Sequence, residues 1–151
     1  IRKRLPQIKL LLVGKGDQND ILSDLVKELK LDDSVFFLGY RNDIDNLLAL
    51  SDVLVTASYR EGLPVNIMEA MASGLPVICT DVRGQRDLIK NGENGFLYSI
   101  NDEKGFSEAV EKLASDPDTV ERIQNNNVKD VRIYSTDYVM KEMTAIYKKY
   151  M

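Results

Sequence analysis

Short apolar runs alternate with helical apolar stripes along almost the whole chain. Lys9–Val13 reads as a strand, and Gly14-Lys15-Gly16 turns into a helix carrying Ile21, Leu22, Leu25, Val26 and Leu29 on one face. Val35–Leu38 is the second predicted strand, with a short helix marked by Ile44, Leu47, Leu48 and Leu50 after it. Asp52–Thr56 and Pro76–Thr80 give two more strands, the latter leading to a short helix over about Gln85–Lys90. A turn cluster, Asn91-Gly92-Glu93-Asn94-Gly95, precedes a last strand at Phe96–Tyr98. The C-terminal third reads as helical. Phe106, Ala109, Val110 and Leu113 form one stripe, Asp116-Pro117 starts another helix, and Val139, Met143, Ile146, Tyr147 and Tyr150 form a further stripe. Asn125-Asn126-Asn127 reads as a helix end or loop, and Tyr98, Tyr134, Tyr138, Tyr147 and Tyr150 as packing residues.

The strand runs lack period-two alternation, as expected of strands covered on both faces. Strand–helix alternation with short turns predicts an α/β fold: a doubly wound parallel sheet, right-handed crossovers and helices on both faces. Ligands of such sheets sit at the carboxyl ends of the strands. The loops at Gly14–Gly16, Gly39–Arg41, Ser58–Asn66 and Asp81–Arg86 all leave such ends and are expected to converge on one crevice.

Composition narrows the chemistry. The chain has 151 residues, the size of one domain, and its net charge of −4 leaves no basic footprint for nucleic acid. Arg2-Lys3-Arg4 is too short a run to define a polyanion or membrane patch. With no histidine, a Ser-His-Asp triad and most zinc sites are excluded. The single cysteine, Cys79, rules out an intrachain disulfide, fits a reducing compartment and reads as strand packing. No segment reaches the roughly 18 apolar residues of a membrane span, and no signal peptide is visible.

The most informative block is Arg60–Thr80, REGLPVNIMEAMASGLPVICT, in which Glu61 and Glu69 stand eight positions apart. Pro64 fits the first position of a helix, where its missing N–H costs nothing. The amides of that first turn, including those of Val65 and Asn66, then point outward at the positive end of the helix dipole, an anion site suited to a diphosphate. Glu69 lies about one turn further along the helix, where it suits the hydroxyls of a ribose better than a phosphate. Ile67, Met68, Ala70, Met71 and Ala72 make the helix almost wholly apolar, so it is expected to be buried, with Glu69 as a carboxylate in need of a partner. Glu61 precedes the helix, where it could approach a sugar beyond the phosphates.

Gly14-Lys15-Gly16 follows a strand, yet Asn19 stands at the third glycine position of a dinucleotide fingerprint. The second strand ends in Gly39-Tyr40-Arg41, without the acidic residue that holds an adenosine ribose, which argues against an NAD site. No P-loop spacing is present. Gly14 and Gly16 therefore form either a tight turn or a loop near a ligand. Tyr40 and Arg41 offer an aromatic or guanidinium face for a base, or a surface position.

The Glu-x7-Glu block resembles the signature of the family 4 retaining glycosyltransferases, in which a run like EGxPxxxxEAMAxGxPV lies in the nucleotide-sugar half. The likeness extends through LLLVGKGD, SVFFLGYRNDI, SDVLVTASYREG and NGENGFLY, covering nearly the whole chain. It implies the Rossmann-like carboxyl-terminal, donor-binding domain of a GT-B enzyme over residues 1–151. It also implies roles: Glu69 on the ribose hydroxyls, the backbone around Gly62, Leu63, Val65 and Asn66 on diphosphate and sugar, Glu61 as catalytic, Gly14 and Gly16 near the donor, and Tyr40 and Arg41 near the base. The donor implied is a nucleotide-diphosphate sugar, UDP-linked by preference, with no further cofactor. No metal is implied, because helix amides and basic side chains can neutralise the diphosphate.

Two departures stand out. The family often has Gly-Gly-x-x-Glu after the fourth strand, where this chain has Arg83-Gly84-Gln85-Arg86-Asp87, a form closer to the capsular and exopolysaccharide branch. The family's phosphate-binding Arg and Lys, with its acceptor domain, would fall before Ile1, which opens almost directly on a strand and reads as the start of a piece of a longer protein. The expected function is retaining sugar transfer to a glycan or lipid-linked precursor of a cell-surface polymer, by a cytoplasmic enzyme compatible with peripheral attachment to the inner membrane face. Two alternatives are a catalytically silent nucleotide-binding module and a glycoside hydrolase using Glu61 and Glu69 as an acid/base pair.

Overall fold

The structure is a computed structural model that describes residues 1–150. By contact density the chain divides into two compact units, Ile1–Ile44 and the residues from Asp45 onward. The first unit holds β1 (Leu10–Val13), α1 (Asn19–Glu28) and β2 (Val35–Gly39). β1 and β2 run parallel, Leu10 opposite Val35 and Leu12 opposite Phe37, with an irregularity before the Val13–Gly39 pair.

The larger unit opens on α2 (Ile44–Leu50), which begins at the boundary. It contains β3 (Leu54–Thr56), α3 (Val65–Ala72), β4 (Val77–Thr80), α4 (Gln85–Leu88) and β5 (Phe96–Tyr98). Helices α5 (Glu103–Ser115), α6 (Pro117–Asp130) and α7 (Thr136–Tyr147) follow, with a 3₁₀ turn at Val131–Tyr134 before α7. Its parallel sheet has the order β3-β4-β5, with Thr56 opposite Cys79 and Thr80 opposite Tyr98. The parallel ladders and flanking helices are the Rossmann-like α/β class expected from the alternating pattern.

The core of this unit lies around β4. All four β4 residues are buried, together with Ile67, Ala70 and Met71 of α3, Ala109 and Val110 of α5, and Ile123 of α6. Burial raises the Cys79 thiol to about 12, in keeping with a packing role. Full coverage does not extend to every strand, since Leu10, Val13, Phe36 and Phe37 of the smaller unit are exposed.

Two corner features fix the geometry around α3. Helix α3 ends in a Schellman motif: the Gly74 amide donates to Met71 O, and that of Leu75 to Ala70 O at 2.8 Å, with Gly74 at φ +73°. That corner sets Leu75 and Pro76 on course into β4. Asn127 is fully buried and donates from Nδ2 to the Leu75 carbonyl at 2.9 Å, tying α6 to the same corner. Asn125-Asn126-Asn127 thus lies inside α6 and not at a helix end, because a long-range hydrogen bond outweighs the weak helix preference of asparagine. Asp116 accepts from the Thr119 amide at 3.0 Å and starts α6 with Pro117 after it, as its sequence implies.

The tyrosines divide. Tyr98 packs on Phe106 with ring centroids 5.3 Å apart and donates to Thr56 O. Tyr138, Tyr147 and Tyr150 are exposed, contrary to the packing expected of them, because the stripe of α7 meets only the adjoining 3₁₀ turn to any extent.

Candidate functional site

The loop between β3 and α3 carries most of the residues singled out in the sequence. Pro64 takes the N-cap position, at φ −73° and ψ 108°, and Val65 is the first helical residue. This moves the expected helix start by one residue: the extended ψ of Pro64 keeps it outside the helix, while its carbonyl accepts the first helical bond, from the Met68 amide. The amides of Val65, Asn66 and Ile67 therefore have no helical carbonyl one turn back. No acidic residue occupies the first turn and no side chain caps it. No carboxylate within that turn offsets the positive end of the helix dipole.

Helix α3 is buried on one face only. Ile67, Ala70 and Met71 point into the core, whereas Val65, Asn66 and Glu69 share an exposed face. The expectation of a buried helix with a stranded carboxylate is thus corrected. Glu69 is solvated, at four residues and about 6 Å along the axis from Val65 at about 1.5 Å per residue. Helical periodicity, which places residues 65, 66 and 69 together, decides this, and the small or apolar neighbours Ala72 and Met68 are themselves exposed or half-buried.

Glu61 is half-buried, and Gly62 and Leu63 after it are exposed. Beneath them lies a polar cluster that the sequence did not announce. Thr80 Oγ1 lies 2.6 Å from Ser58 O and 3.0 Å from Gln85 Oε1, its one hydroxyl proton shared between the two acceptors. Gln85 Nε2 donates to Thr56 Oγ1 at 2.9 Å, and Tyr98 OH donates to Thr56 O at 2.9 Å. Gly84, at φ +87°, lies so close to the Glu61–Gly62 peptide that a Cβ on it would stand 2.2 Å from Gly62 O and 2.8 Å from Glu61 O. The loops after β3 and β4 therefore meet at the carboxyl ends of their strands. The available signal for this was Gly84 in the departing Arg83-Gly84-Gln85 motif, since Gln85 itself stands among the charged residues Arg83, Arg86 and Asp87.

In the smaller unit the other two loops also meet. The Gly14 amide donates to Gly39 O at 2.7 Å, which brings the Gly14–Gly16 turn beside Tyr40 and Arg41. Tyr40 is exposed. Arg41 engages Asp43 by a two-pronged pair, Nε to Oδ1 at 2.7 Å and Nη2 to Oδ2 at 2.5 Å. The hydrogen bond holds the guanidinium above its ordinary value and the Asp43 carboxyl below the usual carboxylate range. The Nε–Nη2 edge of the guanidinium is thereby committed, which leaves Nη1 and the planar face to meet a ligand. The four loops thus meet as two pairs, each within its own unit. Among the described residues no group of three or more Asp, Glu, Cys or His residues is arranged to hold a metal ion.

The α/β scaffold that carries these loops has counterparts among known proteins. The family model described as glycosyl transferases group 1 matches residues 1–130, and the chain belongs to that family. It is 35% identical over its full length to the putative glycosyltransferase EpsD of Bacillus subtilis, and covers 40% of that protein. It is 37% identical over 113 residues to UDP-Gal:alpha-D-GlcNAc-diphosphoundecaprenol alpha-1,3-galactosyltransferase of Escherichia coli, covering 74% of this chain and 29% of the relative. The crystal structure of Anabaena Alr3699/HepE in complex with UDP-glucose superimposes with a TM-score of 0.85 at 27% identity, over 97% of this chain and 42% of that one. The chain spans about two-fifths or less of the length of these proteins. No helix among the described residues is long and apolar enough to cross a membrane.

Proposed function

We propose that this chain is the donor-binding part of a retaining glycosyltransferase that takes a nucleotide-diphosphate sugar, with UDP as the favoured nucleotide, and serves transfer to a glycan or lipid-linked precursor of the cell surface. The observation that carries the reading is the exposed face of α3, where the first-turn amides and Glu69 are presented together. A diphosphate at the helix terminus gains hydrogen bonds and the favourable end of the dipole. From there Glu69, one turn along, accepts hydrogen bonds from the ribose diol. Glu61 and the backbone of Gly62 and Leu63 lie on the loop side, toward the sugar. As the bond from the anomeric carbon to the phosphate oxygen breaks, positive charge develops on the sugar and negative charge on the leaving diphosphate. The Glu61 carboxylate steadies the former and the α3 amides the latter. Retention follows when the acceptor oxygen attacks from the face the diphosphate leaves, its proton passing to the departing phosphate oxygen. For Gly14, Gly16, Tyr40 and Arg41 it is the family likeness that supports sugar- and base-proximal roles, Arg41 having Nη1 and its planar face uncommitted.

The UDP-glucose complex of HepE and the UDP-galactose-dependent Escherichia coli relative support this donor class. In this reading the acceptor half and further cations for the diphosphate lie outside residues 1–151, and the chain covers 40% of the Bacillus subtilis relative. Calorimetric titration of the protein with UDP, GDP and their sugar conjugates tests the reading. Saturable binding of one nucleotide series is expected, and no binding by any of them overturns it. Turnover of a simple glycoside without nucleotide would instead mark a hydrolase, and binding without transfer by the full-length protein a silent module.

A further inference from the structure

We infer that Gln85 is a positioning residue for the β3–α3 loop, and through that loop for Glu61; the link to catalysis rests on the function proposed above. Gln85 is fully buried, at 0% exposure, although it opens α4 at the surface end of the sheet. Its amide bridges two strands, with Nε2 on Thr56 Oγ1 at the end of β3 and Oε1 facing Thr80 Oγ1 at the end of β4. Thr80 in turn reaches Ser58 O, two residues past β3. The first residues of the loop are thereby fixed by hydrogen bonds whose partners lie 22 and 29 positions away in sequence.

The other end of the loop is held from the same corner. Gly84 precedes Gln85 directly, and its backbone packs against the Glu61–Gly62 peptide too closely for any side chain. One short segment, residues 80–85, therefore touches the end of β3 at Thr56 and the loop at Ser58 and at Glu61–Gly62. A leucine or methionine would fill the space of Gln85 without the cost of burying an amide, so volume alone does not account for this residue. What the amide adds is direction. It sets the rotation of Thr56 and the register of β3 against the corner, and small displacements at a reacting centre are costly in rate.

The test compares the full-length protein with Gln85→Met, which keeps the volume, and with Thr80→Val, which breaks the same cluster from its other side. Both variants should lower kcat for sugar transfer by about ten- to a hundredfold. The KM for the donor and the calorimetric affinity for UDP should stay near those of the unaltered protein. Amide hydrogen exchange should rise across residues 57–62 while β4 and α3 keep their protection. A Gln85→Met protein with unchanged kcat and unchanged loop exchange would overturn the inference, leaving Gln85 as a space-filler. So would a uniform rise in exchange through β4 and α3 with matching loss of UDP affinity, the signature of general destabilisation. If Glu61→Gln leaves transfer untouched, it is the proposed role of Glu61 that fails, and loop exchange alone still decides whether Gln85 positions the segment.

Discussion

Gly84 and Gly62 approach so closely that a Cβ on Gly84 would lie 2.2 Å from the Gly62 carbonyl oxygen. The obstructing atom is backbone and cannot rotate aside. Gly84 also holds a φ of +87°, which side chains rarely adopt. Gly84→Ala should therefore destabilise the protein by about 2 kcal/mol or more, the sum of left-handed strain and overpacking. Urea denaturation measures this, and a variant as stable as the parent would mean that the two loops do not meet as described.

Glu69→Ala should leave the fold intact, because Glu69 is exposed and Ile67, Ala70 and Met71 do the packing of α3. Nucleotide affinity should fall by about 1.5–3 kcal/mol, the scale of a hydrogen bond involving a charged group. Calorimetry with UDP on a variant of normal circular dichroism checks both halves. Unchanged affinity would remove the ribose from Glu69.

For Glu61→Gln in the full-length protein, kcat should drop far more than affinity for bare UDP. The contribution of that carboxylate grows with charge in the transition state, while the nucleotide alone makes little use of it. Equal losses in kcat and in UDP affinity would make Glu61 a binding residue only.

Asp116 yields a pH prediction. Hydrogen bonds from Lys112, and then from the Thr119 amide and hydroxyl, hold its carboxyl well below the usual carboxylate range. Its folded pKa is depressed, so its contribution is fully present above the unfolded value of about 3.9 and is lost as pH falls below it toward the folded value. Asp116→Asn keeps a competent cap but gives up the charge. The gap in urea midpoint between parent and variant should be constant near neutral pH and narrow below about pH 4. A gap that widens on acidification would show that the charge of Asp116 does not stabilise the fold.

Local chemistry was sufficient for the elements. The apolar run Pro76-Val77-Ile78-Cys79 reads as a strand covered on both faces, and β4 is fully buried between β3 and β5. Asp116-Pro117 specified its helix start because the cap and the proline act within one turn. The Glu-x7-Glu block was equally legible, and with it the family.

Tertiary structure decided what the elements do. Exposure of Glu69 depended on which face of α3 meets the core, and an almost wholly apolar helix does not declare its face in advance. Asn127 joined a helix interior because its amide reaches Leu75, 52 positions away. Gln85, Thr80 and Thr56 became one cluster only when β3 and β4 paired. Sequence alone determined the strands, helices and candidate carboxylates, since those follow from periodicity and from chemistry within a turn. How the loop bearing Glu61 is held was fixed only by the fold, because hydrogen bonds and close approaches between distant residues leave no local pattern to read.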